Sequence, residues 1–199
     1  MGRWEPDARE RLERAALELF TEHGFAETTV PQITAHAGLT TRTFFRHFAD
    51  KREVLFADEE DLPTLAARLV AAAPASMSPM EIVATSLDQV AAAQFGGGIE
   101  RFRARKRIIN SDPGLREREL NKVDALSEAL RSGFMDRGVD ELTASLVAQV
   151  TTTVFGTSIG RWLGHDDGDE TPFPDLLRDT LESLRRIMDD PGWDTTTAR

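Results

Sequence analysis

Apolar residues recur at helical spacing along most of the chain. Between residues 7 and 23 they fall at i, i+3, i+4 and i+7 steps, at Ala8, Leu12, Ala15, Ala16, Leu19 and Phe20. Similar patterns predict further helices at about 30–37, 41–48, 53–73, 79–95, 99–111, 115–137, 140–163 and 174–189. No segment alternates with period two. The pattern therefore predicts an all-α protein of about nine helices.

Two short predicted helices lie close together near the N-terminus. Thr29-Val-Pro-Gln32 fits a capping box with a proline in the first helical turn, and Thr40 or Thr41 can cap the next helix. Ala37-Gly38-Leu39 joins the two helices, and a glycine there permits a sharp turn. This spacing is typical of a helix-turn-helix, whose second helix enters the DNA major groove.

The second of these helices divides its residues between a core and a surface. Phe44 and Phe48 are i, i+4 neighbours, so we expect them to face inward. The remaining side chains carry the hydroxyls and guanidinium groups that suit phosphates and base edges: Thr40, Thr41, Arg42, Thr43 and Arg46. The spacing alone fits DNA binding and an ordinary helical hairpin with a solvated polar face equally well.

Composition narrows the class of protein. The chain has 199 residues, 40% hydrophobic and 29% charged, which is typical of a globular protein. Cysteine is absent, which excludes disulfides, thiolate metal sites and cysteine nucleophiles. The net charge is −10, yet residues 40–52 carry four basic side chains against one acid. A basic patch of this kind can bind DNA on an acidic protein because salt screens distant charge.

The sequence carries no sign of an enzyme, a cofactor site or a membrane segment. Its histidines, His23, His36, His47 and His165, are scattered without metal-ligand spacing. No glycine-rich phosphate loop follows a strand and no G-x-S-x-G elbow occurs, so we expect no cofactor and no catalysis. No apolar run approaches the roughly 20 residues that span a bilayer, and the N-terminus has no signal-peptide pattern, which favours the cytoplasm.

The stretch TTVPQITAHAGLTTRTFFRHFADKREVLF resembles the signature of the TetR family of bacterial transcriptional regulators. The match includes Ala37-Gly38, Thr43, His47-Phe48 and Lys51, and the resemblance covers about residues 8–56. It implies a DNA-binding regulator, usually a repressor. It also implies groove-facing residues at Thr40, Thr41, Arg42, Thr43 and Phe45, backbone contacts at His47 and Lys51, and a phosphate-contacting cap at Thr29.

Three positions depart from the family pattern. Phe45 stands where the family usually has tyrosine, so the phosphate hydrogen bond that a phenol supplies should be missing. Arg42 replaces a glycine, and its guanidinium could pair with guanine or contact a phosphate. Thr34 replaces an alanine. These departures affect the target sequence rather than the DNA-binding role.

The resemblance also implies two domains, a DNA-binding domain at 1–52 and an effector-binding and dimerisation domain at 53–199. It implies a homodimer on a palindromic operator, with the two last long helices of each chain in a four-helix bundle. The apolar positions that suit this bundle are Leu142, Leu146, Val150, Val154, Trp162, Leu177, Leu181, Leu184 and Met188.

The middle helices should enclose a pocket for a small-molecule effector. Its candidate lining residues are Val83, Leu87, Val90, Phe95, Phe102, Arg103, Ile109, Leu120, Val123 and Leu126. Residues 102–120 resemble a subgroup with acyl-CoA-like ligands, and the basic run at 101–107 could receive phosphates or could be a solvated face. The alternative function is a helical ligand-binding module that does not read DNA.

Overall fold

The computed structural model describes residues 8–56, 62–94, 99–164 and 171–190, with side chains for all of these except 92–94. Every regular element in those ranges is helical, so the predicted all-α fold is confirmed there. The α-helices are α1 (Ala8–His23), α2 (Val30–His36), α3 (Thr41–His47), α4 (Leu62–Ala72), α5 (Pro79–Gln94), α6 (Ile99–Ser111), α7 (Pro113–Asp136), α8 (Glu141–Leu163) and α9 (Phe173–Met188).

The single helix predicted at 53–73 is replaced, in the residues that are described, by a short 3-10 helix and a separate α-helix. Glu53–Phe56 is a short 3-10 helix, and α4 begins at Leu62. Asp50 caps the 3-10 helix, since the backbone N–H of Glu53 donates to Asp50 Oδ1 at 2.8 Å. Residues 54–56 are buried.

Packing divides the chain into two compact units. The first contains the described part of Met1–Glu60 together with Glu100–Lys122, and the second contains the described parts of Asp61–Ile99 and Val123–Arg199. Residues 53–56 and most of α6 therefore pack with the helix-turn-helix. The boundary between a DNA-binding domain at 1–52 and an effector-binding and dimerisation domain at 53–199 stays a prediction.

The first unit is built around a phenylalanine-rich core. Phe20, Phe44 and Phe48 are at most 2% exposed, and Ile33 of α2 is fully buried among them. The ring centroids of Phe44 and Phe48 lie 5.3 Å apart. α6 and the start of α7 add Ile108, Ile109 and Leu115 to the same cluster. Because α1, α2 and α3 share this core, the orientation of α3 is fixed by aliphatic and aromatic packing.

The second unit packs α5, α8 and α9 against one another, with α4 beside α5. The buried side chains of Trp162 and Phe173 are in ring contact, with centroids 5.6 Å apart. Arg137 follows α7 and closes the end of α4 by donating to the carbonyls of Val70, Ala73 and Pro74 at 2.8–3.1 Å. A cation suits this position because the last carbonyls of a helix lack N–H partners.

By length and composition, α8 is apolar enough to cross a membrane. One such helix carries little weight, since the core helix of a soluble protein passes the same test. The buried residues of α8 include Ala144, Val147 and Ala148 along one face, as expected for a helix that covers a core.

Candidate nucleic-acid interface

α2 and α3 are joined by a tight turn that sets the angle between them. Gly38 has φ +65°, a left-handed conformation that side-chain-bearing residues rarely adopt. The backbone N–H of Leu39 donates to the carbonyl of Thr34 at 2.8 Å. Arg11 of α1 donates from Nη2 to the carbonyl of Ala37 at 2.6 Å, which ties the turn to α1.

Both short helices begin with the caps that the sequence predicted. The Thr29 hydroxyl accepts from the Gln32 backbone N–H, and the Gln32 side chain accepts from the Thr29 backbone N–H at 2.7 Å. Thr40 caps α3 by accepting from the Thr43 backbone N–H at 3.1 Å. A helix of seven residues depends on such caps because its first N–H groups have no partner within the helix.

The outward surface of α3 is polar and basic with one large aromatic side chain. Phe44 and Phe48 are buried, as their spacing predicted. Phe45 is 59% exposed and meets the ring of Phe44 edge-on at 5.4 Å between centroids. Four other residues of this surface are exposed: Thr40, Thr41, Arg42 and Arg46. We call these four residues, together with Phe45 and the half-buried Thr43, the reading face.

His47 stands at the end of α3 and is half-buried. Burial lowers the pKa of His47 from its usual value, and the nearby charges of Arg46 and Arg9 lower it further. Its Nε2 lies 3.4 Å from Arg46 Nη2. The imidazole is therefore biased towards the neutral form in the free protein, and a contact with a phosphate would bias it the other way.

Lys51, predicted to contact the DNA backbone, points into the protein. Its Nζ donates to the carbonyls of Phe25, Ala26 and Thr28 at 2.6, 3.2 and 2.9 Å. The same nitrogen lies 4.3 Å from the centroid of the Phe25 ring. An ammonium has three donors. All three therefore have acceptors on the turn between α1 and α2.

Comparison with known proteins identifies this arrangement. The profile of the family described as "Bacterial regulatory proteins, tetR family" matches residues 13–57, which include α2, the turn and α3. The HTH-type transcriptional regulator TcmR of Streptomyces glaucescens is 29% identical over 192 residues, 89% of this chain and 82% of TcmR. The chain is therefore similar to the TetR family, through the profile at residues 13–57 and through TcmR over most of its length. It is a DNA-binding transcriptional regulator and not an enzyme.

Solved structures share the fold of this chain over nearly its whole length. The SmeT–triclosan complex has a TM-score of 0.57 at 21% identity, covering 91% of this chain and 90% of SmeT. FadR of Thermus thermophilus in complex with lauroyl-CoA has a TM-score of 0.51 at 24% identity, covering 90% and 94%. At these identities the likeness establishes the fold.

The second unit contains an apolar cavity. The space open to the centre of a water molecule measures about 50 Å³, and none of the described lining side chains is charged. Among the described residues of its wall only Ser86 and Thr151 are polar, and the Thr151 hydroxyl donates to the carbonyl of Val147 at 2.7 Å. The lining residues are Leu62, Ala66, Leu69, Val70, Ile82, Val83, Ser86, Leu87, Val90, Leu126, Leu130, Phe134, Thr151 and Phe155.

Four of the predicted pocket residues line this cavity: Val83, Leu87, Val90 and Leu126. Five others are described and do not line it. Phe102, Arg103, Ile109 and Leu120 belong to the first unit, where Ile109 is core, and Val123 is exposed. Phe95 lies outside the described residues. α4, the end of α7 and α8 also form walls and were not predicted to do so, although their apolar residues at i, i+4 spacing were a usable signal.

The basic run at 101–107 is largely occupied within the first unit. Arg101 donates to the buried carboxylate of Glu13 at 3.2 Å, Arg103 pairs with Glu100 at 2.6 Å, and Lys106 pairs with Glu119 at 2.6 Å. Arg105 lies over the ring of Phe56 at 5.5 Å. These contacts favour the interpretation of a structural, solvated face over that of a phosphate site.

The predicted dimer residues fall into two groups. Val154, Trp162 and Leu177 are buried within the second unit, so they are core residues of the single chain and have little surface to offer a partner. Leu146 is 58% exposed, and Val150, Leu181 and Leu184 are half-buried. Leu142 and Met188, which were also predicted, are exposed, and so is Ile187, which was not predicted. Among the described residues no group of three or more histidine, aspartate or glutamate side chains could hold a metal ion.

Proposed function

We propose that this chain is a homodimeric, ligand-responsive repressor that acts on a palindromic operator in the bacterial cytoplasm. The observation that carries the proposal is the reading face of α3, which presents basic, hydroxyl and aromatic side chains on a buried three-helix core. A single helix of this length reads few base pairs, and a dimer gains specificity by reading two half-sites.

Arg42 is the residue that we assign to base recognition. It lies in the first turn of α3 with its side chain exposed, and no hydrogen bond or ion pair from it is present within the described residues. A bidentate contact with guanine O6 and N7 contributes about 1–3 kcal/mol of discrimination. Phe45 has no hydroxyl, so its exposed ring suits a thymine methyl group better than a phosphate.

The decisive experiment is fluorescence anisotropy with DNA from upstream of the protein's own gene and unrelated DNA of equal length. We expect tight binding to the first DNA, and a loss of about tenfold or more with Arg42→Ala, while non-specific binding changes little. Arg185→Ala is the matched control because this arginine is 85% exposed on α9 of the second unit. Equal binding to both DNAs, unaffected by Arg42→Ala, would favour the alternative of a ligand-binding module that does not read DNA.

The exposed apolar residues of α8 and α9 support the homodimer. Leu142 and Leu146 are 70% and 58% exposed one turn apart, and burying such side chains gains about 1.5–3 kcal/mol each. Gly156 and Gly160 lie on the same helix with open space around them, which permits close approach of another helix. We expect Leu146→Glu to give monomers in sedimentation velocity. Met80→Glu, a change at an exposed methionine of α5, should leave the dimer intact.

The effector should occupy the cavity of the second unit. An acyl-CoA-like effector is one candidate, supported by the FadR complex with lauroyl-CoA. The uncharged wall and small volume support a second candidate, a compact uncharged molecule, because burying an ionised group without a partner costs several kcal/mol. In either case the ligand must bind more tightly to a conformer with low operator affinity.

A thermal-shift panel separates the two candidates. Lauroyl-CoA, triclosan and coenzyme A alone would be tested on the wild type and on Val83→Phe, which fills the cavity wall. A shift with triclosan that Val83→Phe abolishes would support the compact ligand, and one with lauroyl-CoA alone would support the acyl-CoA class. No shift with any probe, together with unchanged operator affinity, would count against an effector of either class.

A further inference from the structure

Lys51 is separated in sequence from the carbonyls that it contacts, and its location differs from that expected of a DNA contact. The residue follows α3, but its ammonium reaches back to the turn after α1 and donates to Phe25, Ala26 and Thr28 at 2.6–3.2 Å. We propose that Lys51 is a positioning residue that holds this turn, and thereby the start of α2, instead of neutralising a phosphate. The proposal rests on the proposed function as a DNA reader.

The three carbonyls explain why a cation is needed here. They lie in the turn between α1 and α2, where no helical N–H group is available to pair with them. They converge on a single nitrogen, and an ammonium is the side-chain group that can donate three hydrogen bonds from one atom. Burial lowers the pKa of Lys51 from its usual value, as expected for a cation that has exchanged water for protein acceptors.

This turn controls the start of α2. Thr28 is almost fully buried, and its hydroxyl donates towards the carbonyls of Gly24 at 2.8 Å and Leu19 at 3.2 Å. The next residue, Thr29, is the cap of α2. Lys51 therefore connects the segment after α3 to the residue before α2. Because α2 supports α3, a displaced turn should alter the reading face without changing its charge.

Neighbouring arginines supply the comparison that tests this assignment. Arg52 is exposed, and its side chain makes no hydrogen bond or ion pair within the described residues. Its position next to Lys51 makes it a matched control for loss of one positive charge at the same place in the chain. Arg42 is the control for loss of a charge on the reading face.

The experiment measures operator affinity of the full-length protein against salt concentration, together with the melting temperature. For B-DNA the slope of log K against log salt falls by about 0.9 for each phosphate that the protein no longer neutralises, or about 1.8 for a dimer. We expect Lys51→Met to leave the slope unchanged and to lower the melting temperature more than Arg52→Met does. We also expect it to weaken binding about tenfold at 10 °C, provided that circular dichroism of the variant at that temperature gives the spectrum of a folded protein.

Lys51→Arg distinguishes positioning from phosphate binding even if Lys51→Met does not fold. A guanidinium can still bind a phosphate, but its N–H donors are spread over three nitrogen atoms. It therefore cannot donate three hydrogen bonds from a single atom, as the ammonium of Lys51 does. We expect Lys51→Arg to weaken binding with an unchanged slope. Near-wild-type affinity for Lys51→Arg, or a slope reduced by about 1.8 with an unchanged melting temperature for Lys51→Met, would overturn the proposal. If the wild type shows no specific DNA binding, the proposed function fails, whereas the melting temperatures still test the contacts of Lys51.

Discussion

Glu13 is an acidic side chain buried in the first unit, and its replacement tests how α6 is held against α1. The side chain is only 4% exposed. It accepts from Arg9 Nε at 3.0 Å and from Arg101 Nη2 of α6 at 3.2 Å. In Glu13→Gln, one of the two carboxylate oxygens becomes an NH₂ group that faces an arginine donor. The substitution keeps the size of the side chain, so it changes charge and hydrogen bonding with little effect on packing.

The expected loss of stability follows from these contacts. Hydrogen bonds to charged groups contribute about 1.5–3 kcal/mol each. The side chains of Arg9 and Arg101 are 50% and 46% exposed, so water can solvate them once the carboxylate is replaced. The lower part of the range applies, and we expect Glu13→Gln to cost about 2–3 kcal/mol in the free energy of unfolding. For a chain of this size that corresponds to about 4–12 °C in melting temperature.

A double-mutant cycle with Arg101→Met isolates the contact between α1 and α6. Urea unfolding would be measured for the wild type, both single variants and the double variant, and we expect a coupling of about 1 kcal/mol or more. Glu100→Gln is the matched control. Glu100 also pairs with an arginine, Arg103 at 2.6 Å, but is 71% exposed, so its replacement should cost less than about 0.5 kcal/mol.

Two results would refute this reasoning. If Glu13→Gln cost no more than Glu100→Gln, burial of the carboxylate would not matter. If Arg101→Met cost the same with and without Glu13→Gln, the hydrogen bond between the two residues would not contribute to stability. Either result would point to the shared apolar core, to which α6 contributes Ile108 and Ile109, as the main contact between α6 and α1.

Three further substitutions test other parts of the structure. Thr29→Ala removes the capping box of α2 and should cost about 1 kcal/mol by urea unfolding, with weaker operator binding. The pKa of His47 is lowered in the folded protein, so its contribution to stability is complete above the usual pKa of 6.5 and is lost as the pH falls below that value. His47→Gln should therefore reduce the pH dependence of the melting temperature between about pH 7.5 and 5. Arg137→Met removes the donors to the last carbonyls of α4 and should lower the melting temperature by several degrees.

Much of the DNA-binding region could be predicted because its signals are local. The cap at Thr29, the turn at Gly38 and the i, i+4 pair of Phe44 and Phe48 each depend on residues within one or two helical turns. The same locality explains why the sequence predicted which side chains of α3 face outward. The contact of Lys51 with Phe25, Ala26 and Thr28 joins parts of the chain more than 20 residues apart, and no local pattern specifies it.

The order of amino acids was enough to specify the all-α class, the helix-turn-helix and the resemblance to the TetR family. Tertiary packing decided which apolar residues became core, cavity wall or free surface. Val154 and Leu146 have the same type of side chain on α8, but one is buried and the other is exposed, because burial depends on where neighbouring helices pass. Packing likewise gave Arg101 a buried carboxylate as partner and left Arg42 exposed. Periodicity shows that a helix has an apolar face, and only the packing partners decide what covers it.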